Sequence, residues 1–178
     1  MTVPATWVMS LLVALEPSAP WRTTYEKTAE AIAKVAESEP VFEEKGEQRT
    51  AALLVAIAWY ESRLKPNAKS ANGQWLCLYQ VDRRHLPEPQ KALEDPEVCS
   101  RAAVKIIKGS IAKCGKKPLE EQLAVFMSGS CDKGLAESRY RMFLANKLLK
   151  EHPFPEPPPP PPGPIAAAQR ARAEVTSH

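Results

Sequence analysis

The most apolar stretch of the chain runs from Ala51 to Trp59, nine residues without a charged or hydroxylated side chain, and Tyr60 then leads straight to Glu61. A helix apolar on every face belongs in a core, so the pattern predicts a central buried helix from about Glu47 to Ser62 that carries a carboxylate to the core's edge. Other helices flank it. From Pro4 to Leu15 one face carries Val8, Leu11, Leu12 and Leu15, with Pro4 suited to a first turn and Pro17 as a stop. Thr23-Thr24-Tyr25-Glu26 has the form of a capping box, opening a second helix to about Glu37 that buries Ala29, Ile32, Ala33 and Ala36 before Pro40 closes it. Asp95-Pro96-Glu97 supplies a cap, a rigid first turn and a negative charge at the positive end of the dipole. That helix, to about Lys113, buries Val98, Ala102, Ile106 and Ile107. Pro118 starts a helix through Leu119, Leu123 and Phe126, which Ser128-Gly129-Ser130 breaks. A last helix from about Ala136 to Glu151 is expected to bury Tyr140, Phe143, Leu144 and Leu148.

Between Lys65 and Leu86 no period of either kind is sustained, and Pro66, Asn67, Asn72 and Gly73 are turn formers. Trp75 to Val81 suits a short strand, and long irregular stretches in compact domains are usually functional. The expected fold class is therefore mainly α: a helical domain over residues 1–152, with a small irregular or short β segment beside the central helix. The uninterrupted prolines from Pro157 to Pro162 mark residues 153–164 as an extended polyproline II linker, suited to tethering or to a protein partner. Residues 165–178 form a short Ala-rich tail, helical or disordered.

Composition narrows the function classes. Hydrophobic residues at 44% and charged residues at 25% of 178 fit one soluble globular domain with appendages. The net charge of +3, from 24 basic and 21 acidic residues, is too mild to point to nucleic acid. Lys105, Lys108, Lys113, Lys116 and Lys117 either face an anionic polymer or form a solvated surface. The run Trp7 to Leu15 falls far short of the ~20 residues of a membrane span. No Lys or Arg precedes it, and Pro17-Ser18-Ala19-Pro20 is a poor cleavage site, so a cleaved leader is not expected. Four cysteines without a CxxC pair, and only three histidines, argue against zinc. Cys114 and Cys131 flank one short helix, so the chain can fold back to pair them in an oxidising compartment. Cys99 and Cys114 sit at opposite ends of a helix about 20 Å long and cannot meet.

The chemistry centres on Glu61. A carboxylate at the edge of an apolar core is partly desolvated, which favours its protonated form and suits a general acid at neutral pH. Glu61-Ser62, then Pro66, Ala68, Ser70 and Gly73, then Cys77-Leu78-Tyr79-Gln80 resemble the catalytic core of the SLT-type lytic transglycosylases and the related goose-type lysozymes. There a buried helix ends in Glu-Ser, a loop follows with Pro, Ala, Ser and Gly, and a Gly-Leu-Met-Gln-like segment comes next. A weaker likeness extends from Leu123 to Tyr140, although Ala124-Val125-Phe126-Met127-Ser128-Gly129 lacks the Tyr-Asn common in the family. Cys77 also departs from the pattern, standing where a glycine, and so an unusual φ or a close backbone approach, is expected.

The resemblance implies a lysozyme-like fold and cofactor-free cleavage of the MurNAc-GlcNAc bond in peptidoglycan glycan strands, in the periplasm, outside the cell or from a phage particle or secretion machine. In that scheme Glu61 acts alone as acid and then base, taking a proton from the sugar's own 6-hydroxyl to leave an anhydro product. Ser62 fixes the carboxylate or the sugar, Gln80 bonds the saccharide from the opposite wall, and Tyr140 lines the groove. Tyr79 either stacks on a sugar or joins the core. A hydrolytic, goose-type route needs a second carboxylate to handle water, for which Asp82 is the nearest candidate, with Glu88 behind it; otherwise both are loop charges. A third reading is a non-catalytic glycan-binding or structural module of the same fold.

Overall fold

The computed structural model describes residues 2–155. Among the described residues seven helices are arranged around one of their number, α3 (Gly46–Ser62), whose residues from Thr50 to Ala58 are all buried. The helix packs against α1 (Ala5–Leu15), α2 (Tyr25–Ser38) and α7 (Leu135–Glu151). Helix α2 also lies on α1 and on α5 (Pro96–Lys113), and the short α6 (Ala124–Ser128) bridges α5 and α7. The central helix is thus enclosed as its unbroken apolar run requires. No helix among the described residues is long and apolar enough to cross a membrane.

Beside the C-terminal end of α3 lies the one small sheet of the described residues, an antiparallel pair of β1 (Trp75–Leu76) and β2 (Val81–Asp82), with Leu76 opposite Val81. The mainly α fold with a short β segment beside the central helix is therefore observed. Lys69 adds an isolated bridge to Leu76, and Ser70 N donates to Trp75 O at 2.9 Å, so the irregular loop is folded back onto β1.

Several local expectations hold in detail. Asp95 caps α5 by accepting from Glu97 N at 2.9 Å, and the helix ends at Lys113. Gly129 stops α6 in the left-handed region, at φ +77°. Others do not hold. The Thr-Thr-Tyr-Glu capping box does not form: residues Arg22–Thr24 make a 3-10 turn, and Thr24 Oγ1 donates back to Trp21 O at 2.6 Å instead of accepting from the helix. The helix expected after Pro118 splits into a 3-10 turn, Leu119–Glu121, and α6. A short helix, α4 (Pro89–Glu94), fills part of what reads as loop.

The largest difference is the rotation of α7. Tyr140 and Phe143 point outwards, 60% and 69% exposed, and the buried face is Ser138, Arg141, Met142, Ala145 and Leu148. A buried polar side chain is tolerated only where it finds partners, and these two find them. Ser138 Oγ donates to Glu120 O at 2.7 Å and lies 3.2 Å from Leu123 N, while Arg141 meets Glu61. Sequence period alone ranks aromatics above arginine for the inside; the available partners reverse that order.

The packed region also reaches past the expected boundary at 152. The Trp7 ring meets Phe154 edge-on, with centroids 4.9 Å apart, and Trp7 Nε1 donates to His152 O at 3.0 Å. The linker beyond Pro155, with its proline run, and the Ala-rich tail lie outside the described residues.

Candidate active site

Glu61 leaves the last turn of α3 where the chain turns sharply. Leu64 N bonds to Ala58 O at 3.2 Å, Arg63 and Leu64 take left-handed φ values of +53° and +64°, and the Leu64 side chain is fully buried. This is a Schellman-type ending with its apolar anchor, and it sends the following loop back across the helix end. Ser62 then ties helix to loop: its Oγ lies 2.7 Å from Leu78 O and 3.1 Å from Ala58 O. What the serine positions through Leu78 is the segment that carries Gln80.

The Glu61 side chain is 22% exposed, at the edge of the core as its helix dictates, but its surroundings are not simply apolar. Arg141, from α7, reaches it with two nitrogens, Nη2 at 2.7 Å and Nε at 3.2 Å, and both meet the same oxygen, Oε1. Arg141 is itself held, by donation from Nη1 to Glu137 O at 2.9 Å and by stacking over the Tyr60 ring at 4.8 Å. Helical and turn patterns give no sign of this contact, because 80 residues separate the partners. The nearest signal is an arginine interrupting the expected apolar stripe of the last helix.

The segment Cys77–Gln80 adopts the unusual backbone expected of its glycine-like first position. Cys77 has φ +61° and Gln80 φ +46°, a region that costs a side-chain-bearing residue roughly 1–2 kcal/mol. A disulfide from Cys77 to Cys99 on α5 holds the segment in place. That pairing is not legible in the sequence, whereas the bridge between Cys114 and Cys131 is the one expected. Gln80 Nε2 donates to Cys77 O at 3.2 Å, and the side chain borders a groove of about 460 Å³. Trp75, Asp82, His85, Phe126 and Met127 line the same groove.

The two walls of this groove are built by different means. The hairpin wall hangs on the first disulfide and on Ser62. The wall from Phe126 to Gly129 is fixed by Ser110 of α5, whose Oγ donates to Gln122 O at 2.7 Å and accepts from Val125 N and Phe126 N at 3.1 and 3.2 Å. The second disulfide holds the chain just beyond it. Gly134, at φ +67°, lets this wall close, because a Cβ there would lie 2.8 Å from Met127 Cβ.

Tyr79 lies away from the groove, and Asp82 lines it but is fully engaged. Tyr79 is fully buried, with its hydroxyl 3.0 Å from Ser100 Oγ, and burial raises its pKa. It belongs to the core and has no face to offer a sugar. Asp82 is not a solvated loop charge: it is buried at the head of the groove, where it caps the turn Arg83–His85 through Arg84 N. Its carboxylate takes the Arg84 guanidinium at 2.7 Å and Gln74 Nε2 at 3.2 Å. Hydrogen bonds from Arg84 hold its pKa well below the usual carboxylate range. A carboxylate so fully engaged is poorly placed to activate water. Tyr140 is open to solvent one residue from Arg141, and Glu88 pairs with Lys91 at the surface, 3.4 Å away.

Residues 40–128 match the family model of the transglycosylase SLT domain, a span that takes in Glu61, the loop, the hairpin and α6. The chain belongs to that family. No curated protein and no solved structure compared with it gave a match.

Proposed function

We propose that this chain is a peptidoglycan lytic transglycosylase in which Glu61 serves as both acid and base at the MurNAc-GlcNAc bond. The observation that supports the reading is a single carboxylate at the end of a buried helix, which the Ser62–Leu78 contact ties to the hairpin carrying the groove-lining Gln80, in a chain of the transglycosylase SLT family. In the reaction Glu61 gives its proton to the glycosidic oxygen, and the C1–O bond breaks with its electron pair going to that oxygen. The sugar's 6-hydroxyl oxygen then bonds to the oxocarbenium-like C1, and its proton returns to Glu61. No water is consumed and no cofactor is needed. Gln80 on the groove and the exposed Tyr140 are the saccharide contacts in this reading.

The engagement of Asp82 by Arg84 and Gln74 favours this route over hydrolysis, which needs a second carboxylate free to handle water. Two disulfides suit an oxidising compartment or a phage particle, where wall is met. The segment around Pro157 to Pro162 is read, from sequence alone, as a tether or partner-binding stretch. The Glu61–Arg141 pair favours a second reading, a non-catalytic module in which the glutamate is a structural ion-pair partner. Mass spectrometry of fragments released from purified walls separates the readings. Anhydro-muropeptides support transglycosylation, reducing ends indicate hydrolysis, and no release indicates the module.

A further inference from the structure

We infer that Arg141 is the positioning residue of the reaction, fixing which oxygen of Glu61 carries the proton and balancing the carboxylate between the two proton transfers. The inference rests on the proposed transglycosylase reading. Its geometric basis is the asymmetry of the contact: both Arg141 nitrogens meet Oε1, so Oε2 is the oxygen left to hold and release the proton. An acid that works twice in one turnover must return to the same place after losing its proton. A carboxylate without a fixed partner rotates, whereas one held through Oε1 presents Oε2 in one direction before and after transfer. Misplacing a reacting group by as little as 1 Å costs on the order of 100-fold.

Arg141 is equipped for that task more than for a surface ion pair. Exposed pairs of long side chains lose most of their gain to solvent and to side-chain entropy. Here the arginine side chain is 11% exposed, its third nitrogen donates to the Glu137 carbonyl, and its guanidinium carbon lies over the Tyr60 ring, 4.8 Å from the centroid. Its conformation is therefore set before substrate arrives. Tyr60 and Glu61 are consecutive on α3, and Glu137 and Arg141 lie one turn apart on α7, so the contact also fixes the two helices against each other at the site. After the first transfer the departing proton leaves a negative charge facing a positive sugar centre. The guanidinium stabilises that carboxylate through Oε1 and leaves Oε2 open to accept the 6-hydroxyl proton.

The test compares Arg141→Lys and Arg141→Ala with the wild type on purified peptidoglycan, reading kcat, KM, melting temperature and anhydro product. Arg141→Ala is expected to lower kcat roughly 10- to 100-fold with KM within about twofold. Arg141→Lys, which keeps the charge without the fork, is expected to fall between the two. Guanidinium ion added below denaturing concentration should restore part of the Arg141→Ala rate and leave the wild type unchanged. A kcat for Arg141→Ala equal to the wild type, or a loss that tracks melting temperature and is not restored by guanidinium, would overturn the inference while the transglycosylase reading stands. A wild-type protein that releases nothing from walls would overturn both.

Discussion

Ser62 Oγ lies 2.7 Å from the carbonyl oxygen of Leu78, and that contact joins the helix bearing Glu61 to the hairpin bearing Gln80. Replacing Ser62 by Ala leaves a half-buried carbonyl without this partner, which costs about 1–3 kcal/mol. Ser62→Ala should therefore lower the melting temperature and, by loosening the hairpin, reduce kcat/KM several-fold while the products stay anhydro. A variant with unchanged melting temperature would show that the tie carries no strain-bearing role.

The Cys77–Cys99 disulfide anchors the hairpin wall to α5, and Cys114–Cys131 joins the residue that follows α5 to the chain just beyond the other wall. Thiol titration of oxidised, unfolded protein should find no free thiol. Closing loops of this length is worth about 3 kcal/mol each in the chain-entropy account. Reduction, or the pair Cys77→Ser with Cys99→Ser, should lower both the melting temperature and glycan affinity, because the strained Cys77–Gln80 backbone loses its clamp.

Asp82→Asn separates a structural carboxylate from a catalytic one. Its pKa is lowered in the fold, so the ionised form contributes stability that is present above the ordinary carboxylate range and is lost as pH falls through the lowered value. The variant should melt below the wild type at neutral pH, and the gap should narrow as the pH drops well below 4. Turnover should fall only modestly, with anhydro ends throughout. A product change to reducing ends, or a loss of rate as large as that of a Glu61 variant, would point to water as the nucleophile.

The Trp7–Phe154 contact makes the position of the domain's end a measurable question. A chain ending at Pro155 should melt with the full-length protein. One ending at His152 loses the Phe154 ring from the core's rim and should be about 1–2 kcal/mol less stable. Equal melting temperatures for the two would mean that the ring adds nothing.

What the sequence made legible followed local rules. An unbroken apolar run became the enclosed α3, Asp95-Pro96-Glu97 became a helix start, and the glycine-like position at Cys77 became a left-handed residue. The expected carboxylate appeared at the end of that apolar helix. Non-local matters stayed hidden. The inward face of α7 was set by partners for Ser138 and Arg141 that lie on other elements, so a stripe of aromatics gave the wrong face. Tyr79 reads equally well as groove or core, and only the position of Ser100 decides it. Asp82 reads as a loop charge until Arg84 and Gln74 are seen folded over it. The Cys77–Cys99 bridge joins a loop to a helix whose relative placement no spacing encodes.

The most direct test of the central claim is turnover by Glu61→Gln on purified peptidoglycan, with released muropeptides followed by mass spectrometry. Glutamine keeps an acceptor for Arg141 and nearly the same shape, so the fold should persist with at most a small drop in melting temperature. It cannot give up a proton and recover one, and loss of general acid catalysis costs about 10²- to 10⁴-fold. The account predicts a loss at or beyond the upper end of that range, because one group serves both steps, with binding to walls retained. Near wild-type release of anhydro-muropeptides by Glu61→Gln would contradict it, leaving the carboxylate as no more than the ion-pair partner of Arg141.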